Sequence, residues 1–133
     1  MVLATVLSSV SIGLSGLEAA SQRLDVAANN IANAQSSGAL PGTPGPAPYT
    51  PLQVLQSDTG SGTVATTVPV DPAYVPASDP QSPYANAQGL VAMPNVDLTQ
   101  EIVELAAARQ SFAANLKTVQ ISMSTTGRLL GIA

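Results

Sequence analysis

Cysteine, histidine and tryptophan are absent from this 133-residue chain, and aromatics reach only 3%, as Phe112, Tyr49, Tyr74 and Tyr84. Without cysteine there is no disulfide and no thiolate nucleophile, and without histidine the commonest general base is missing. The same two absences exclude zinc sites built on those ligands. Catalysis would have to rest on hydroxyls and on Glu18, Asp25, Asp58, Asp71, Asp79, Asp97, Glu101 and Glu104, which are scattered without metal-loop spacing. No enzyme, metal or cofactor is therefore expected. Hydrophobic residues make up 45% of the chain but are mostly Ala, Val and Leu. Aromatics usually supply much of a core's buried area, so a dense globular core is not expected.

Charge is also scarce, at 9% of residues against roughly 25% in an ordinary soluble domain. The net charge is −4 and only four residues are basic, too few to displace counterions from phosphates, so nucleic acid is not an expected partner. The uncharged stretch from Met1 to Leu17 has the look of a signal peptide or a membrane span. Three features oppose that reading: a basic leader is missing, Thr5, Ser8, Ser9, Ser11 and Ser15 interrupt the run, and its periodicity continues past the first charges. An amphipathic helix accounts for all three. A small coiled-coil adaptor or membrane-associated module is the competing class.

That periodicity is a heptad. At the N-terminal end it reads Leu3, Leu7, Val10, Leu14, Leu17, Ser21, Leu24, Ala28, Ile31, and at the C-terminal end Leu98, Ile102, Leu105, Arg109, Phe112, Leu116, Val119, Met123, Thr126, Leu130. Steps alternating between four and three keep one stripe on one side of a helix. All prolines lie between the two stretches, from Pro41 to Pro94. We expect a mainly α protein whose N- and C-terminal helices pair as an antiparallel coiled-coil hairpin, with an extended, Pro-rich middle holding a small β-hairpin. Residues 1–35 form the first helical segment, 36–94 the linker with its hairpin, and 95–133 the last, the two ends making one helical unit. Ser21 and Arg109 then fall at about the same height, where Arg109 either meets that small neighbour or extends its guanidinium past the seam.

Local signals refine this. Asp97, with Gln100 three residues on, is an N-cap, and Glu101, Glu104 and Arg128 suit the dipole ends. Gly38 is a candidate left-handed helix stop. Pro41, Pro44, Pro46, Pro48 and Pro51 exclude helix and central strand. Residues 49–56 and 63–68 are β-prone runs around a Gly/Ser turn, while residues 69–89 read as turn chemistry.

With Leu3 as a d position, the g positions of the first helix are Val6, Gly13, Ala20, Ala27 and Ala34, where a solvated two-helix coiled coil usually carries Glu or Lys. Ala106, Ala107, Ala113, Ala114 and Ile121 extend the apolar surface of the last helix. Each helix is thus expected to need several partners and to order largely on assembly.

The run Arg23-Leu-Asp-Val-Ala-Ala-Asn-Asn-Ile-Ala-Asn-Ala34 resembles the N-terminal signature of bacterial flagellar axial proteins, the rod, hook and hook-associated families. Met93-Pro-Asn-Val-Asp-Leu98 and Ala108-Arg-Gln-Ser-Phe-Ala-Ala-Asn115 resemble their C-terminal pattern. Chain length and the segment Asn86-Ala-Gln-Gly-Leu-Val-Ala-Met-Pro-Asn95 are most similar to the proximal-rod class of basal-body rod proteins; another rod component is the alternative. The resemblance implies helical polymerisation of paired terminal helices into the torque-bearing rod across the periplasm. It implies copies of itself and other rod proteins as partners, together with the rod's base at the inner-membrane ring and its adaptor. It also implies passage through the flagellar type III export apparatus without a cleaved signal peptide. Carried over by position, the assembly motif is Asn29, Asn30, Ile31, Asn33, Asn95, Arg109, Phe112 and Asn115. The Asn side chains either bond local backbone at the helix end or bridge neighbouring protomers. The Pro/Gly-rich run from Leu40 to Pro51 departs from the family, whose middle is longer and more charged, and implies a reduced or loosely ordered outer part.

Overall fold

A computed structural model describes residues 1–131. The element order is α1 (Val2–Asn33), β1 (Leu52–Asp58), β2 (Thr63–Pro69), β3 (Tyr74–Ser78), β4 (Leu90–Pro94) and α2 (Leu98–Leu130). Strands β1 and β2 form one two-stranded sheet and β3 and β4 another. Contacts divide the chain into two compact units. The first holds Met1–Asp25, Val54–Thr66 and the chain from Glu104 on; the second holds Val26–Gln53 and Thr67–Val103.

Helix α2 starts where its cap chemistry places it. The Asp97 carboxylate accepts from the N–H groups of Thr99 at 3.0 Å and Gln100 at 3.1 Å, satisfying two of the donors a helix start leaves open. Helix α1 ends at Asn33, and Gly38 is not its left-handed stop. Gly38 instead exchanges two 2.9 Å hydrogen bonds with Ala92 of β4, and a Cβ there would lie 2.4 Å from the Pro46 oxygen. Glycine is needed at this position for close approach of backbone, not for a turn.

In the first unit, α1 and α2 meet through small residues. A Cβ on Gly13 would come 2.7 Å from Val119 Cγ2, and one on Gly16 would come 2.5 Å from Asn115 Oδ1. Further along, the Arg23 guanidinium pairs with the Glu104 carboxylate. This pair raises the Arg23 pKa, chiefly through the hydrogen bond, but both side chains are part-exposed, so it contributes at most about 1 kcal/mol. The β1–β2 turn is docked onto α1 as well: Thr63 N–H donates to Ser15 Oγ at 3.1 Å.

The buried line of each helix is displaced from the line of large residues. In α1, Gly13, Ala20 and Ala27 are buried, Val10, Leu17, Leu24 and Ile31 are half-buried, and Leu3, Leu7, Leu14, Ser21 and Ala28 are exposed. In α2, Ala108, Val119 and Ser122 are buried and Leu105, Phe112 and Thr126 half-buried. Leu98, Ile102, Arg109, Leu116, Met123 and Leu130 are exposed. Helices touch where side chains are smallest, and a ridge of larger ones is left outside.

Two features of the middle differ from the sequence reading. Residues 69–89 are not turns alone, because β3 pairs antiparallel with β4 in the register Tyr74↔Pro94, Pro76↔Ala92, Ser78↔Leu90. Pro76 is tolerated for a specific reason. Ala92 spends both its N–H and its C=O on Gly38, so Pro76 opposite it occupies a non-hydrogen-bonded position where no N–H is required. Strand β4, flanked on both edges, also supplies a core, with Val91 and Ala92 fully buried beside Ala39 and Pro51.

Gly13→Ala tests the close approach. The substitution adds about 1 kcal/mol of helix propensity but drives a methyl into Val119, whose β-branched side chain has little freedom to move. We expect Gly13→Ala to lower the thermal midpoint in the natural chain and to raise it in a Val119→Ala background.

Candidate assembly site

The motif residue Asn30 is fully buried. Helix α1 points its carboxamide at the segment that follows the proline run, and all four of its hydrogen-bonding capacities are used. Its Nδ2 donates to the Leu52 carbonyl at 2.7 Å and to Glu101 Oε1 at 2.9 Å. Its Oδ1 accepts from the Tyr49 hydroxyl at 3.0 Å and from the Leu52 N–H at 3.1 Å. One side chain thereby ties α1, α2 and the start of β1 together within the second unit. The loop before Tyr49 is shaped to reach it: Ala39 N–H donates to the Pro46 carbonyl at 2.8 Å and Tyr49 N–H to the Ser36 carbonyl at 3.2 Å. Burial, assisted by the nearby Glu101 carboxylate, holds the Tyr49 phenol above its ordinary range.

The other motif residues have different placements. Asn33 donates to the Asn29 carbonyl at 2.9 Å and accepts from the Ser36 hydroxyl at 3.3 Å, which is local helix-end bonding. Ile31 is half-buried and Asn29 exposed. Asn95 fastens the segment before β3: its Nδ2 donates to the Pro72 carbonyl at 2.9 Å and its N–H to the Ala73 carbonyl at 3.0 Å. In the first unit, Asn115 donates to the Ser111 carbonyl at 2.9 Å and lies over Gly16. Phe112 is half-buried and Arg109 exposed. The motif therefore divides into residues that build the protomer (Asn30, Asn33, Asn95, Asn115) and residues that reach its surface (Asn29, Arg109). For Asn30, bridging between protomers is replaced by bridging within one.

Tyr49 and Glu101 escaped the sequence reading as site residues. The available signals were a lone aromatic in a proline run and a carboxylate at a g position of the helical face that α2 buries. Among the described residues no Asp and Glu side chains gather to hold a metal ion.

Two family models match the two ends of the chain. A family model described as flagella basal body rod protein matches residues 11–39, which include Asn30 and Gly38. A second, described as the C-terminal region of flagellar basal body rod FlgEFG proteins, matches residues 87–132, which include β4 and the whole of α2. The class is therefore that of flagellar basal-body rod proteins. The chain is 37% identical to the flagellar basal-body rod protein FlgC of Yersinia enterocolitica, over 90% of this chain and 92% of that protein. It is 38% identical to FlgC of Escherichia coli O157:H7 over 90% and 94%, and 31% identical to FlgC of Bacillus subtilis over 95% of both. This chain belongs to the FlgC family of flagellar basal-body rod proteins.

Replacing Asn30 by Ala removes the partner of the Leu52 N–H, the Leu52 carbonyl and the Tyr49 hydroxyl at once. We expect a loss of about 2–4 kcal/mol in chemical denaturation, with faster amide exchange at Leu52. Because the Tyr49 pKa is raised in the fold, its contribution is complete below the unfolded value of 10.0 and is lost as pH rises beyond it. Tyr49→Phe should be less stable than the natural chain near neutrality, by about 1 kcal/mol. It should also show a smaller decline in stability above pH 10.

Proposed function

We propose that this protein is a structural subunit of the flagellar basal-body rod, without enzymatic activity, which polymerises helically through its terminal helices and transmits torque across the periplasm. The observation that carries this reading is the exposed ridge: Leu14 is 52% exposed, Leu116 40% and Met123 61%. Apolar burial stabilises at about 25 cal/mol per Å², and a ridge left outside the protomer has that term still to gain. In this reading the two helices form an antiparallel coiled-coil hairpin. The contact order supports it, since Gly13, Gly16 and Arg23 meet Val119, Asn115 and Glu104 in turn. The terminal segments, residues 1–35 and 95–133, of which 132 and 133 lie outside the described residues, act as one polymerising unit, and residues 36–94 are carried outside it.

The partners are copies of the chain, other rod proteins and the base of the rod at the inner-membrane ring with its adaptor. Delivery is through the type III export apparatus without a cleaved signal peptide. A membrane-associated role has one observation in its favour, because α1 is long and apolar enough by length and composition to cross a bilayer, and only 11% of its apolar 18-residue window is buried. Buried Gly13, Ala19 and Ala20 within the same helix favour helix partners over lipid.

Circular dichroism separates the readings. The isolated chain is expected to show modest helix content at low concentration and to gain helix on self-association. Complete helix content independent of concentration, or helix gained only with lipid vesicles, counts against the rod. Loss of the gene is expected to abolish rod completion and swimming.

A further inference from the structure

The charges of this chain are unevenly divided. All four cations, Arg23, Arg109, Lys117 and Arg128, lie in the first unit with four acids, Glu18, Asp25, Asp58 and Glu104. The second unit contains Asp71, Asp79, Asp97 and Glu101 and no Lys or Arg, so the whole net charge of −4 resides in it. Arg23 is paired with Glu104. Arg109, Lys117 and Arg128 are exposed on α2 and hold no ion pair among the described residues, and no acid occurs in the sequence beyond Glu104.

Lys117 and Arg128 share a face. Three helical turns separate them, and Gln120, Ile121, Ser124 and Thr125 line a shallow groove between the two. The helix dipole accounts for Arg128 in the last turn. It does not account for Lys117 in mid-helix. Asp71 and Asp79 of the second unit are exposed, and neither is an N-cap.

We propose that the Lys117–Arg128 groove of one subunit receives the acidic second unit of a second copy, through Asp71 and Asp79. The proposal rests on the rod-subunit reading and names the surfaces it uses. Two different patches of one chain meeting each other make a heterologous contact, the kind that generates open helical assemblies. Exposed ion pairs are individually weak, so their contribution is orientation and rate of docking, with the apolar ridge supplying affinity. An anionic lipid surface is the less suited occupant, since recognition of that kind uses clusters of about 4–8 cations.

Self-association of the full-length chain, followed by sedimentation velocity at low and high NaCl, tests this. Association of the natural chain should weaken as salt rises. K117E/R128E should raise its dissociation constant about tenfold at low salt, and adding D71K/D79K to that variant should restore it. Association indifferent to salt and to charge reversal overturns the proposal and leaves the rod reading standing. So does a loss that the charge swap fails to repair. Binding of the natural chain, but not K117E/R128E, to phosphatidylglycerol vesicles with self-association unchanged also overturns it. A folded natural chain that stays monomeric at every concentration overturns both.

Discussion

A carboxamide removed from water needs partners for two N–H donors and two oxygen lone pairs, and in the second unit that requirement falls on Asn30. Its partners come from α1's own follow-on segment and from the first turn of α2. Satisfying them fixes where Tyr49 and Leu52 lie. The start of β1 is positioned in the same step, since Leu52 bonds Asn30 through both its N–H and its C=O. A leucine in place of Asn30 would gain transfer energy and lose this specification of position, which is the attested use of a buried polar group in a helical seam.

Small residues impose the complementary constraint. Gly13 and Gly16 let α2 approach α1 closely, and Ala20, Ala27 and Ala108 continue the buried line. Because that contact needs little side-chain volume, the larger residues Leu7, Leu14, Leu116 and Met123 are left over. A protomer built this way is sparing in its own core and generous in the surface it offers to others. That combination suits a member of the FlgC family better than it suits a free-standing domain.

What the sequence revealed follows from the range of each interaction. The Asp97 cap acts over three residues and was legible. Both helices were legible because apolar periodicity persists over eight or more turns. Which stripe faces inward was not, since periodicity marks a face but does not say whether a residue of this chain or of another covers it. Strand β3 was hidden by Pro76, whose cost depends on which edge of β4 holds the hydrogen bonds, and that is settled by Gly38, far away in sequence. Asn30 was visible as part of a motif. Its partners Tyr49 and Glu101, 19 and 71 residues away, were not.

The central claim is that the Leu14 and Leu116 ridge is open in the protomer and closed in the rod. The chain contains no native cysteine, so Leu14→Cys and Leu116→Cys variants give unambiguous thiol labelling. Rapid labelling of the free chain at both positions and protection in isolated basal bodies is the predicted result. Protection already in the monomer, or equal labelling in the assembled rod, would contradict it.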